Sequence, residues 1–370
     1  MPDRIKFARR IDHIEMSGIR RIFELVQGMQ DAVDFSLGQP HFETPAELKA
    51  AAIQAIQSGF NRYTVTQGIP ALRERLATEL ARRFGWRDGS VMVTSGVAGG
   101  LFLSMAALVD EGDEVVIPDP YFVLYSQLVR FFQGVPVLMD TYPDFRVRPD
   151  MLEKLITPKT KLLLFNNPVN PTGIAYTGPE VAAIAAVARR HGVFVLSDEI
   201  YEMFSYDFPH EGMLRHHPGA LLVGGFGKSY AVPGWRLGYA AGPPEVIEKM
   251  IMLQQFSFVC APSPAQAAGI AALDLDMTPQ VQEYRRKRDF VYEGLKDRYE
   301  VVKPQGAFYI FPRCLGDDDQ IFLRRALEQK VLVVPGGACS RRRTHFRLSF
   351  AASDRDLERG VDILNRLARG

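Results

Sequence analysis

Between Ser90 and Ala241, seven short apolar runs alternate with longer helical patterns, and that alternation leaves few folds open. The runs at 91–94, 114–118, 135–139, 161–166, 193–197, 220–224 and 237–241 are near-continuous in Val, Leu and Phe. Strands buried on both faces have that composition, whereas half-exposed strands alternate apolar with polar. Helical patterns at 101–109, 121–132, 179–191 and 245–256 accompany them. The spacing predicts an α/β fold whose mostly parallel sheet is covered by helices on both faces. Such sheets bind ligands beyond the carboxyl ends of their strands. Residues suited to chemistry gather at those ends: Ser95-Gly96, Pro120-Tyr121-Phe122, 167–173, Asp198 to Tyr201, and Lys228.

After Leu275 the pattern changes. A long charged amphipathic helix is expected over 278–299, then a segment at 307–311, a helix near 320–330 and a strand at 346–350. A last helix at 354–369 follows Ser353, a suitable cap. These elements predict a smaller α+β domain of 276–370 joined by 1–40, beside a large domain of 41–275. No internal repeat or low-complexity linker interrupts the chain.

One strand end stands out. Gly224-Gly225-Phe226-Gly227-Lys228 places a lysine among glycines after an apolar run, and Arg236 follows eight positions later. Glycines leave the lysine free to reach a bound carbonyl. The arginine offers a permanently charged fork for an anion. Together they point to a phosphorylated aldehyde held through Lys228. A nucleotide-binding loop also ends in Gly-Lys-Ser, but it needs a glycine where this chain has Leu222, and Pro233-Gly234 fit poorly with the required helix. A plain glycine-rich turn with an exposed lysine is the remaining competitor.

The other strand ends each admit two readings. The turn Asn166-Asn167-Pro168-Val169-Asn170-Pro171-Thr172-Gly173 has the composition of a surface loop, or of a set of amide donors. Asp198 closes a buried run, where a carboxylate needs a partner. Phe122 is either core or a ring stacked on a ligand. Arg347, inside the strand at 346–350, implies a bound anion or a salt bridge.

Composition removes several function classes. The 370 residues are 47% apolar with net charge +1, so nothing in bulk favours nucleic acid or an acidic membrane surface. No apolar run reaches the ~18 residues of a membrane span. Residues 1–15 are charged and lack a secretory apolar core. The three cysteines and seven histidines show no metal-ligand spacing, so no metal is expected. Scattered cysteines fit a reduced, cytoplasmic protein. His210, His216 and His217, among prolines and acids, are expected on a solvated loop.

Taken together, these motifs resemble the class I/II pyridoxal-phosphate aminotransferases of fold type I, in the aspartate and aromatic branch. The resemblance runs through Leu37-Gly38-Gln39-Pro40, Tyr63-Thr64, Gly68-Ile69-Pro70-Ala71-Leu72-Arg73, the Asn-Pro-Thr-Gly turn, Ser-Asp-Glu-Ile-Tyr, the lysine segment, Gly306-Ala307-Phe308-Tyr309 and Arg347-Leu348-Ser349. It implies pyridoxal 5'-phosphate as cofactor and amino transfer from an α-amino acid to a 2-oxo acid by a ping-pong route. It implies that Lys228 forms the Schiff base and moves the proton, and that Asp198 pairs with the ring nitrogen. Asn170 and Tyr201 would bond the phenolic oxygen, and Phe122 would stack on the ring. Arg236 and the backbone amides of Ser95, Gly96 and Val97 would hold the phosphate. Arg347 would clamp the substrate carboxylate, with the backbone of Gly38 nearby. Tyr63 would reach the cofactor of a second subunit, which implies a homodimer.

The chain departs from the family pattern in places that bear on specificity. Gly225 and Gly227 replace phosphate-contacting polar residues, leaving Ser229 or Ser95 to compensate. Val97 stands where aspartate-using relatives often carry a lysine, and Arg341-Arg342-Arg343 form either a carboxylate-attracting or a solvated turn. A β-eliminating lyase on the same scaffold is the alternative reaction. A ligand-sensing regulator ranks last, because about forty residues precede Gly38, too few for a DNA-binding domain.

Overall fold

A computed structural model describes residues 6–14 and 31–369. The expectation for the charged N-terminus lies partly outside them. The strands are β1 (Val33–Asp34), β2 (Ser90–Ser95), β3 (Glu114–Asp119), β4 (Val135–Asp140), β5 (Thr160–Asn166) and β6 (Phe194–Asp198). They continue as β7 (Leu221–Gly225), β8 (Leu237–Gly242), β9 (Tyr309–Ile310), β10 (Val331–Leu332), β11 (Val334–Pro335) and β12 (Phe346–Ser349).

Seven of them form one sheet in the order β2-β8-β7-β6-β5-β3-β4. Only β8 runs against its neighbours, pairing antiparallel with β2 and β7. Successive side chains on a strand point to opposite faces, and here both faces are dry. Val91, Val93, Leu163, Phe165 and Leu222 enter one core; Met92, Leu162, Leu164, Leu221 and Val223 enter the other. That double burial is why the runs read as unbroken apolar stretches. The register sets Asn166 beside Asp198 and Asp198 beside Val223, so three strand ends deliver their loops to one edge.

A second layer holds the three-stranded sheet β11-β12-β9 and the pair β1-β10. Its core gathers Phe35, Phe204, Tyr284, Phe308, Phe346 and Leu348. Pairing of Val33 with Val331 ties the segment before Gly38 to this layer. The helices Thr278–Leu295 and Asp354–Leu367 flank it, the latter capped by Ser353, whose Oγ accepts the Asp356 N–H at 3.1 Å.

Two helices differ from expectation for visible reasons. The one expected at 101–109 begins earlier and spans Gly96–Leu108. Gly99 and Gly100 weaken its intrinsic propensity. They are nevertheless suited to it, because an added Cβ at Gly100 would sit 3.2 Å from Val223 on the sheet. The helix expected at 121–132 starts only at Leu124, leaving 120–123 as the loop that carries Phe122.

Candidate active site

The strand ends and the second layer enclose a cavity of about 300 Å³. Its wall includes Gly38, Gly96, Val97, Phe122, Asn170, Asp198, Tyr201, Lys228, Arg236 and Arg347. Residues more than 300 positions apart in sequence thus share one space. Tyr63 and Ser95 are not in the wall. Ser95 is the last residue of β2, and the wall at this point is built by Gly96, Val97 and Ala98, one step later than the sequence motif indicated. Tyr63 stands 84% exposed on the surface. Ser229 is buried and faces a different cleft, so it does not restore the hydroxyl missing at Gly225 and Gly227.

Lys228 lies in the single turn Phe226–Ser229 that follows β7. Its Nζ donates to the carbonyl oxygen of Gly38. Burial lowers its pKa to about 8, aided by the charges of Arg347 and Arg236 and opposed by Asp198. An amine near neutrality is a usable nucleophile and base.

Asp198 ends β6 and is 2% exposed. Its Oδ2 accepts the Tyr125 hydroxyl at 2.8 Å and its Oδ1 accepts the Ile200 N–H at 3.1 Å. Burial raises its pKa to about 6, against the pull of those two donors. The asparagine turn is no surface loop: every residue from 165 to 176 is buried. Asn166 Nδ2 donates to the Asp198 carbonyl at 2.8 Å, and Asn166 Oδ1 accepts the Asn170 N–H at 2.8 Å. These bonds fix the Asn170 side chain against Arg347.

Arg347 is 2% exposed. Its Nη1 donates to Asn170 Oδ1 at 3.1 Å, its Nη2 donates to the Ser36 carbonyl at 2.8 Å, and its guanidinium lies 4.6 Å over the Tyr309 ring. Nε has no partner, and no carboxylate of the described residues pairs with it. Such a buried cation calls for an anion. Tyr201 and Tyr309 share a hydrogen bond of 2.9 Å between their hydroxyls, and burial raises both pKa values.

Arg236 has φ 53° and ψ 46°, the left-handed region that few non-glycine residues occupy. This turns its exposed guanidinium back toward the first turn of Gly96–Leu108. A Cβ on Gly96, whose φ is +68°, would lie 2.6 Å from Arg236 Nη2. Free N–H groups of a helix's first turn beside an arginine make an anion cradle.

One expectation needs correcting: His210 is not solvated, since its side chain is 4% exposed and its Nε2 meets Glu199 Oε2 at 2.7 Å. Glu199, wholly buried, also accepts from Ser197 Oγ at 2.8 Å and Met213 N at 2.9 Å, so this acid bolts the loop beneath the site. Of the two readings for Arg341–Arg343, the solvated turn fits: the run is exposed and stays outside the cavity. Arg342 pairs with Asp140, Arg343 lies 3.4 Å from Asp319, and Arg341 Nη2 donates to the Leu138 carbonyl at 2.7 Å. Sequence reasoning missed Ser36, Ala98, Tyr125 and Tyr309, whose contacts complete the wall.

Comparison with known proteins agrees with this arrangement. The sequence matches the family described as aminotransferase class I and II over residues 30–364. It is 36% identical to a probable aspartate aminotransferase of Methanocaldococcus jannaschii, covering 97% of this chain and 98% of that protein. It is 34% identical to aromatic-amino-acid aminotransferase 2 of Thermococcus litoralis, covering 97% of each. The structure of aspartate aminotransferase from Thermus thermophilus with maleate superposes with a TM-score of 0.93 at 35% identity, covering 98% of this chain and all of that one.

Proposed function

We propose, for a chain that belongs to the class I and II aminotransferases and is a pyridoxal-phosphate-dependent transaminase of amino and 2-oxo acids, a division of labour centred on Lys228. The observation that carries it is the convergence of Lys228, Asp198, Arg236 and Arg347 on one cavity. The residues fit the cofactor. The cradle beside Gly96 suits a phosphate, and three cations against one carboxylate leave room for added negative charge.

When bound, pyridoxal phosphate supplies an aldehyde that combines with amines and a ring that accepts electrons from the substrate Cα. Arg236 and the amides of Gly96, Val97 and Ala98 hold the phosphate. Phe122 covers the ring face. Asp198 holds a proton on the ring nitrogen, because opposite charges there favour each other's ionised form. Asn170 and Tyr201 bond the phenolic oxygen. Lys228 Nζ would hold the aldehyde carbon and, as a free amine, would carry a proton at the substrate Cα. Arg347 grips the α-carboxylate common to both substrates of a ping-pong exchange.

Tyr63 serves the site of a second copy. Exposed Tyr63, Val65 and Phe256 form part of the surface that a homodimer would cover. The chain divides into a large unit of 41–275 and a small unit of 1–40 with 276–370. Among the described residues no helix is long and apolar enough to cross a membrane, and a cytoplasmic setting suits the three free cysteines.

The donor is a neutral or aromatic amino acid. The cavity's three cations all have tasks, and Val97, Leu101, Phe122, Leu124 and Ile200 give it an apolar stretch of wall without a further charge. Borohydride reduction followed by peptide mapping should place the cofactor on Lys228, and a donor panel against 2-oxoglutarate should favour apolar side chains. A label on another lysine overturns the site, and aspartate as best donor overturns the specificity.

A further inference from the structure

We propose that Asp119 is a positioning residue for amino acid substrates: it clasps the turn between β11 and β12 and so fixes the carboxylate clamp Arg347 at a set distance from the ring cover Phe122. The inference rests on the reading above, and it gives a task to the Arg341–Arg343 turn, which the cavity itself does not use.

The clasp joins two sheets. Asp119 is the last residue of β3 in the seven-stranded sheet, three positions before Phe122, and is 3% exposed. The segment facing it, 336–345, connects β11 to β12 in the three-stranded sheet. Tyr121 N–H donates to the Cys339 carbonyl at 2.8 Å, and Arg341 N–H donates back to Asp119 Oδ2 at 3.1 Å. These two bonds run in opposite directions and bracket Ser340. Ser340 Oγ in turn accepts the Tyr142 hydroxyl at 3.0 Å and the Arg342 N–H at 2.9 Å. Arg341 Nη2 reaches the Leu138 carbonyl at 2.7 Å, and the Arg342 guanidinium lies 4.4 Å over the Tyr142 ring.

Both ends of the clasp lead into the site. The turn is also fixed within its own layer, where Gly337 N–H donates to Asp319 Oδ2 at 2.6 Å. At its base Pro335 pairs with Phe346 and Val334 with Arg347, so a shift of the turn reaches Arg347 within one step of the ladder. On the other side, the Asp119 carbonyl accepts Thr141 N–H at 3.2 Å and Thr141 Oγ1 at 2.8 Å, which pins the main chain just ahead of Phe122 and leaves the side chain to reach across. A buried carboxylate needs partners to remain charged. Burial raises the Asp119 pKa, and Asp140 adds to this, while the Ser340 hydroxyl, the Arg341 N–H and the Arg341 charge oppose it. The groups that favour its ionised form thus belong to the turn it holds.

Asp119→Ala opens the clasp without touching a residue of the cavity wall. Misplacing a bound group by about 1 Å can cost roughly 10²-fold in rate. Phenylalanine would use both Arg347 and the ring cover, whereas phenylethylamine has the same side chain and no carboxylate for Arg347. In single turnovers of the holoenzyme, followed by the cofactor's absorbance, the second-order rate with phenylalanine should fall about tenfold or more in Asp119→Ala, and that with phenylethylamine by less than about twofold. Asp119→Asn, which keeps an oxygen for the Arg341 N–H, should retain most of the wild-type preference for the amino acid. Ser340→Ala, a smaller change on the facing side of the clasp, should lower that preference by about threefold, and this arm stands even if Asp119→Ala folds poorly. An unchanged preference in both alanine variants, equal losses for amino acid and amine, or an Asp119→Asn variant as poor as Asp119→Ala overturns the role of Asp119. A wild-type protein that shows no preference for phenylalanine over the amine, or binds no pyridoxal phosphate, overturns the underlying reading instead.

Discussion

Arg347→Lys is the perturbation whose size the structure specifies best. The guanidinium spends one Nη1 bond on Asn170 and one Nη2 bond on Ser36, and keeps a buried, unpaired Nε. A carboxylate would take two parallel bonds from such a fork. A lysine amine is a point charge and loses one of these, about 1.5–3 kcal/mol for a charge-assisted bond. It must also give up the Asn170 or Ser36 contact and the planar overlap with Tyr309, roughly 1 kcal/mol more. The sum, about 2.5–4 kcal/mol, corresponds to a loss of roughly 70- to 900-fold in kcat/KM. Because amino acid and oxo acid share the carboxylate, both half-reactions should lose equally. Single-turnover measurements that follow the cofactor's absorbance in each half-reaction test this. An amine without a carboxylate should react at similar rates with both proteins. A decline below about fivefold, or one confined to a single half-reaction, would refute the clamp.

Two further outcomes follow from the same site. Asp198 has a folded pKa of about 6 against an ordinary 3.8, so the folded apoprotein binds more protons between these values and its stability falls as pH rises through that window. Above pH 6 the cost is about 3 kcal/mol, and apo Asp198→Asn should be more stable than wild type at pH 7 but not at pH 4; denaturant titrations that find it weaker at pH 7 would contradict the assignment, even while its turnover collapses. Mixing Tyr63→Ala subunits with Lys228→Ala subunits should regenerate activity above that of either parent, since the hybrid contains one site with both side chains; no gain would exclude a Tyr63 contribution across subunits.

What the sequence made legible depends on where chemistry and composition coincide. Strands buried on both faces appear as apolar runs, and the residues after them are polar without structural need, so Asp198, Asn170 and Lys228 stand out. The reversed direction of β8 is invisible, because a strand dry on both faces has the same composition in either orientation. Tyr125 was hidden for the opposite reason. It sits in a helical pattern with Leu124, Leu128 and Val129, where an aromatic reads as core, and only the 2.8 Å contact with Asp198 separates it from packing. Strands of two residues, such as β9 with Tyr309, carry no periodicity at all. The surface reading of the asparagine turn failed because its amides are spent inside the protein, on Asp198, Glu211 and Arg347.

The site also explains why its lysine can serve twice. Three cations and one carboxylate line the cavity, and such an excess of like charge is tolerable only where ligands bring the opposite sign. Burial is the largest cause of the low Lys228 pKa, followed by Arg347 and then Arg236. A phosphate at Arg236 and a carboxylate at Arg347 each offset one of those two charges. The amine therefore starts near neutrality, where it can attack a carbonyl, and becomes more basic as the site fills. That order is the one a group must follow if it is first to hold a cofactor and then to accept a proton from the substrate that displaces it.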